Sequence, residues 1–274
     1  MPIQSAFSTS KYQVGLIGVG VMGEALISGL VSSRFPKAQI VFTEKRSERS
    51  REISSKYGAR EVELSELVKS SDVILLVVKP QDLGELLASI SDGLNKKALL
   101  VSFAAGKTTK FIAEKVGSKA AVIRVMPNTP TLIGLGMAAI SIGESVSQEQ
   151  SKFVTDFLAT CGKVISIDEN LQDAVTAVSG SGPAYFFAFV EEMIKSGTLL
   201  GLTNEQASTL AIQTIVGSAA MLEQSGKSAT ALRENVTSPN GTTAAALKVF
   251  SEANLGGIIE RAMTAARDRS QELA

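Results

Sequence analysis

Three glycines spaced as Gly18-Val19-Gly20-Val21-Met22-Gly23 follow an apolar stretch directly and open a helical pattern. That spacing suits a diphosphate. The first glycine permits a tight turn, the second lets backbone come close to the phosphates, and the third lets helix pack on strand. Free amides at the helix start then meet the negative charge. The end of the next strand, Thr43-Glu44-Lys45-Arg46-Ser47, is where an adenosine ribose is read. Glu44 suits a ribose diol and favours NAD. Lys45, Arg46 and Ser47 suit a 2′-phosphate and favour NADP. Two cations and a hydroxyl outweigh one carboxylate, so NADPH is the expected cofactor and NADH the second choice.

Composition narrows the chemistry further. The 274 residues include no histidine and one cysteine, Cys161. Ser-His and Cys-His nucleophiles, His-ligated metals and an internal disulfide are therefore all excluded. No metal is expected. Lys plus Arg and Asp plus Glu are 27 each, so no basic excess points to nucleic acid or anionic lipid. What remains is carboxylates, hydroxyls, lysines, backbone amides or a cofactor.

Other strand ends carry small or rigid loops. Val78-Lys79-Pro80 ends one apolar run, and Pro80 pins its turn. Ser102-Phe103-Ala104-Ala105-Gly106 lets a flat ring lie against backbone. Arg124-Val125-Met126-Pro127-Asn128-Thr129-Pro130 reads as a stiff loop that is neither helix nor strand. Two later stretches are also unusual. Ser179-Gly180-Ser181-Gly182-Pro183 interrupts a helical pattern, where Gly and Pro cost about 1 and 3 kcal/mol respectively. Close backbone approach or a kink is expected there. Ser238-Pro239-Asn240-Gly241 is a turn, and Thr242-Thr243 opens a long helix. Two hydroxyls and free amides make that helix start a carboxylate site.

The elements that position these residues fall into two halves. Strand signals at 14–18, 39–43, 72–78, 98–103, 122–125, 137–142 and 163–167 alternate with helices such as 22–32, 47–57 and 82–90. This alternation predicts an α/β fold with a doubly wound parallel sheet. From about Glu169 the pattern is helical, broken at Gly182-Pro183, Gly201, Gly226 and Pro239-Asn240-Gly241. Residues 1–167 are thus read as a dinucleotide-binding domain and 168–274 as an all-α domain. The run Tyr185-Phe186-Phe187-Ala188-Phe189-Val190 covers more than one helix face. Leu247, Phe250, Ile258, Ile259 and Met263 on one later helix from Thr243 do likewise, so a second copy is expected to cover them. The polar start lacks the apolar core of a signal peptide, and Val73–Val78 is too short to span a bilayer, so a cytoplasmic protein off the membrane is expected.

Taken in order, GVGVMGEAL, VVKPQ, SFAAG, RVMPNTP, DAVTAVSGSGPAYFF and LRENVTSPNGTTAAAL resemble the pyrroline-5-carboxylate reductases, from about Tyr12 to Leu273. The resemblance implies a Rossmann-type domain, a helical dimerisation domain, homodimers that often build larger rings, and reduction of 1-pyrroline-5-carboxylate to L-proline with NADPH or NADH. It places Ile17, Gly18, Val19, Gly20, Val21 and Met22 at the pyrophosphate. Val78, Lys79, Ala104, Ala105, Gly106 and Asn128 fall at the nicotinamide side, with Asn235 also on the cofactor. Glu169, Thr242 and Thr243 fall to the imino acid. Thr243 is the residue expected at the ring nitrogen, and the amides of Gly241 to Thr243 at the carboxylate. Leu64, Asn240 and Glu192 depart from the family pattern, which has an asparagine, a glycine and an alanine there. Asn240 tolerates a left-handed conformation, and Glu192 is expected to face water or a partner. Two rivals share parts of this pattern. One is a β-hydroxyacid dehydrogenase or imine reductase, the former using a helix lysine; the other is a regulator that binds NADP without turnover.

Overall fold

The computed structural model describes residues 11–117 and 119–273. Contacts divide the chain into two units, one running to Ser181 and taking in the segment from Ala266, the other Gly182–Ala265.

The first unit is an eight-stranded sheet. Its strands are β1 (Val14–Ile17), β2 (Ile40–Thr43), β3 (Arg60–Glu61), β4 (Val73–Leu76), β5 (Leu99–Ser102), β6 (Ala121–Met126), β7 (Gly136–Ile142) and β8 (Gly162–Ser166), in the order β3-β2-β1-β4-β5-β6-β7-β8. Helices α1 (Val21–Ser32), α2 (Ser47–Tyr57), α3 (Leu64–Ser70), α4 (Pro80–Ile90), α5 (Thr109–Val116) and α6 (Gln148–Ala159) connect them. β1, β4 and β5 are buried at every residue, which is why they read as unbroken apolar runs rather than as alternation. Successive side chains go to opposite faces. Leu16 packs with Leu26, Phe42 and Phe157 on one side, and Ile17 with Val41, Leu67 and Leu83 on the other. Cys161 is a core residue, and burial pushes its thiol pKa up.

Several expectations need correction. The sheet is not wholly parallel, because β7 runs antiparallel to β6. β3 and α3 lay outside the expected elements. The Asn128 loop is not irregular throughout, since Thr129–Ile133 forms a 3-10 helix that accepts Pro130 in its first turn. The interruption at 179–183 is a change of helix type. α7 (Gln172–Val175) runs into a π-helical turn, Thr176–Gly180, before α8 (Gly182–Leu199) begins. No backbone stands close to Gly180; a Cβ there would lie 2.4 Å from Met126 Cε, the flexible end of a side chain.

The second unit is helical. It holds α8, α9 (Asn204–Gln224), α10 (Ala229–Asn235), α11 (Thr242–Glu252) and most of α12 (Leu255–Glu272). Gly201 and Gly226 take left-handed φ values of 101° and 68° in the breaks around α9. Gly197 lets α8 approach α9, where an added Cβ would stand 3.1 Å from Ala207 Cβ. Much apolar surface stays uncovered, with Phe186 and Phe187 63% and 67% exposed and Leu199 88%.

Candidate active site

Strands β3, β2, β1, β4, β5 and β6 are mutually parallel, so their carboxyl ends share one edge. The chain leaves β1 for β2 on one side and later reaches β4 on the other, and such a reversal opens a crevice for ligands. Along that edge stand, in order, Thr43–Ser47, Gly18–Gly23, Val78–Pro80, Ala104–Gly106 and Asn128. The structure thus brings together on one edge the residues expected at a cofactor from five separate sequence segments.

The glycine turn is shaped as its spacing requires. Gly18 has φ 91°, and a Cβ there would lie 2.6 Å from Val77 O. A Cβ on Gly23 would lie 2.4 Å from Gly18 O, so that glycine sets how closely α1 packs on the turn. Around Gly20 nothing lies within 4 Å of an added Cβ. That open space, bounded by the first-turn amides of α1, fits a diphosphate. Gly20 is the N-cap and offers no side chain to those amides.

At the ribose end Glu44 turns inward. One oxygen accepts from Val19 N–H at 3.1 Å, and the other from Arg46 N–H at 3.2 Å and Arg46 Nε at 3.0 Å. Burial works against its ionisation, but these hydrogen bonds overcome it and hold the carboxyl below its usual range. Lys45, Arg46 and Ser47 are exposed, Arg46 as the residue before α2 and Ser47 as its first. Leu64 packs against the core and offers no polar contact.

Arg49 is a residue that the sequence reading missed. It reaches from α2 to the glycine turn, donating from Nε to Val19 O at 2.9 Å and from Nη2 to Gly20 O at 3.4 Å. It also pairs with Glu24 on α1 and, at 2.7 Å, with Glu52. Glu24 in turn accepts from Lys56 at 2.8 Å and Tyr57 at 2.9 Å. Lys56 first, then Arg49 and Tyr57, hold its carboxyl down at about 2 against the cost of burial.

Of the residues expected at the nicotinamide, Lys79 is exposed, while Pro80 is the first residue of α4. Ala104 is buried and Gly106 has φ 75°. The Asn128 side chain accepts from Met137 N–H at 2.8 Å, which ties this loop to β7. Glu169 belongs to the sheet unit. Its carboxylate accepts from Thr109 N–H at 2.7 Å and Thr109 Oγ1 at 2.8 Å, with Arg124 3.9 Å away. Arg124 also faces Asp173 at 3.5 Å, and Asp173 accepts from Ser270 at 2.7 Å.

The remaining residues lie in the helical unit. Asn240 adopts φ 59°, as its family departure required, and Gly241 N–H closes the turn onto Ser238 O at 3.1 Å. Gly241 is the N-cap of α11 with no capping side chain, so Thr242 and Thr243 begin a helix whose first amides are free. Asn235 ends α10 and is exposed. Lys195 pairs with Glu191 and Glu192 at 2.8 Å each, and both raise its pKa.

Among the described residues there is no cluster of carboxylates or cysteine suited to a metal, and no helix long and apolar enough to cross a membrane.

Residues 169–273 match the family model for pyrroline-5-carboxylate reductase dimerisation. Residues 13–106 match that of the coenzyme F420-dependent NADP oxidoreductases. The pyrroline-5-carboxylate reductase of Corynebacterium melassecola is 39% identical over 264 residues, covering 95% of this chain and 98% of its own. The solved Coxiella burnetii enzyme is 32% identical with a TM-score of 0.89, over 97% of this chain and 99% of that one. A Plasmodium falciparum pyrroline carboxylate reductase, solved with NADP bound, is 30% identical with a TM-score of 0.88, over 96% and 98%. With both halves of the chain matched and near-complete cover of each relative, the chain belongs to the pyrroline-5-carboxylate reductase family.

Proposed function

We propose that this enzyme reduces 1-pyrroline-5-carboxylate to L-proline, the last step of proline biosynthesis, with NADPH preferred over NADH. Residues 1–167 are assigned to the cofactor and 168–274 to substrate and dimerisation. The observation that carries this reading is the left-handed Asn240 turn, which delivers Gly241, Thr242 and Thr243 at the uncapped start of α11. The Plasmodium relative binds NADP, and the open space at Gly20 fits the same group here.

A bound nicotinamide supplies the hydride, which goes to C5 of the C=N bond. The chain's own residues then bind and orient. Gly20, Val21 and Met22 present amides to the pyrophosphate. Lys45, Arg46 and Ser47 would hold the 2′-phosphate. Val78, Lys79, Pro80, Ala104, Ala105, Gly106, Asn128 and Asn235 are assigned to the rest of the cofactor. Amides of Gly241 to Thr243 are assigned to the substrate carboxylate, and Glu169 is assigned to the imino acid. Thr243 Oγ1 accepts from the protonated ring nitrogen, which keeps the imine in its more electrophilic form. That proton comes from water, so an enzyme without histidine needs no strong acid. Orientation and electrostatics are the protein's contribution.

A homodimer in the cytoplasm is the proposed working form and the building block of any larger ring. Support comes from the apolar surface of α8 and the dimerisation match. The test follows NADPH oxidation with pyrroline-5-carboxylate, then the reverse reaction with 3-hydroxy acids, then NADPH alone. Turnover only with the imino acid supports the reading. Turnover of hydroxy acids, or binding without any turnover, removes it.

A further inference from the structure

We infer that Arg49 is a positioning residue, setting the peptide planes that present amides to the cofactor's pyrophosphate. The inference rests on the cofactor part of the proposed function. Its basis is the arrangement of donors behind the glycine turn. Arg49 Nε holds Val19 O at 2.9 Å and Nη2 reaches Gly20 O at 3.4 Å. No peptide is cis among the described residues. In a planar trans peptide the carbonyl and the following N–H point in opposite directions. Fixing Val19 O therefore aims Gly20 N–H away from Arg49, and fixing Gly20 O does the same for Val21 N–H. These are two of the amides at the open face of the turn, where nothing lies near Gly20.

The guanidinium is itself locked. Its side chain is 16% exposed and pairs with Glu24 and Glu52. Glu24 is gripped from the other side by Lys56 and Tyr57. Gly20 O also accepts Glu24 N–H at 2.9 Å, so the same residue anchors the helix start and the arginine. With two carboxylates against it, Arg49 has little net charge to offer a phosphate. Its planar fork of donors spans two carbonyls, which one lysine ammonium matches poorly. The effect must then fall on the part common to both cofactors and spare the 2′-phosphate.

The experiment measures dissociation constants of NADPH, NADH and ADP-ribose for the wild-type enzyme, Arg49→Met and Arg49→Lys, with steady-state kinetics beside them. In Arg49→Met the three constants should rise about 10-fold by a common factor. The cofactor KM should follow, and kcat at saturating cofactor should move by less than about twofold. Arg49→Lys should fall between wild type and Arg49→Met. A loss confined to NADPH would make Arg49 a 2′-phosphate ligand and overturn the inference. A fall in melting temperature with unchanged constants would make it structural only and also overturn it. If Arg49→Met does not fold, Glu24→Gln, which removes one of the two carboxylates that hold the guanidinium, must weaken NADPH and NADH equally; unchanged binding in that variant refutes the idea. The titrations need no imino acid. If the wild type binds both cofactors without reducing the imino acid, the function fails while this inference is still judged.

Discussion

Replacing Gly23 with alanine puts a methyl carbon 2.4 Å from Gly18 O and 3.2 Å from Gly18 C. Close carbon–oxygen contacts settle near 3.3 Å, so the start of α1 must retreat by about 1 Å. Overpacking of this kind costs about 1–3 kcal/mol of stability. The amides of Val21 and Met22 move with the helix. A charge-assisted hydrogen bond stretched by that amount is lost, at roughly 1.5–3 kcal/mol. Cofactor affinity should therefore fall about 10- to 150-fold. Gly20→Ala is the contrasting variant. Its φ is −62° and its surroundings are empty, so the fold accepts the methyl without strain. That methyl occupies the ligand's space instead. Melting curves and NADPH titrations of both variants form the assay. Gly23→Ala should lose stability and affinity together, Gly20→Ala affinity alone. A Gly20→Ala enzyme that binds NADPH like the wild type would refute the assignment of that open face to the pyrophosphate.

Thr243→Val should leave NADPH binding nearly intact and lower imino-acid turnover by roughly 10- to 150-fold, the cost of one hydrogen bond to a charged partner; wild-type kinetics would remove Thr243 from the site. Lys45→Ala with Arg46→Ala should raise the KM for NADPH and barely change that for NADH, and an equal response would shift cofactor choice to Glu44. Acid stability should depend on Glu24. Its folded value of about 2 lies below the ordinary 4.5, so its stabilisation is full above about pH 5 and lost as pH falls towards 2. After allowance for solvent screening this is about 2 kcal/mol, and Glu24→Gln should flatten that limb of the melting-temperature profile. Refolding a Gly20 turn-disrupted chain together with a Thr243→Val chain should restore activity if each site draws on two subunits; an active monomer in sedimentation at assay concentration would contradict the dimer.

Much of the fold was legible because burial leaves period and punctuation in the sequence. α2 runs from Ser47 to Tyr57 as its pattern foretold, and Gly58 ends it with φ 73°. β3 was not legible, since Arg60 and Glu61 are two exposed charged residues with no alternation to read. The direction of β7 was open to inference. Residues 127–135 between β6 and β7 are too few for a crossover, which takes a dozen or more. Gly18 and Gly23 announced themselves because backbone geometry demands glycine there, and Gly20 through its place in their spacing. Arg49 did not, because a cation on a polar helix reads as solvent-facing, and its partner Glu24 lies 25 positions earlier. The π-helical turn at Thr176–Gly180 was visible as a cost at Gly180 and Pro183, though its form was not.

The hydride itself is the most direct probe of the central claim. The enzyme would be given NADPH carrying deuterium at the transferred C4 position together with pyrroline-5-carboxylate, and the product read by mass spectrometry. The expected result is L-proline with one deuterium at C5. Proline without label, or oxidation of NADPH with no proline formed, would contradict it.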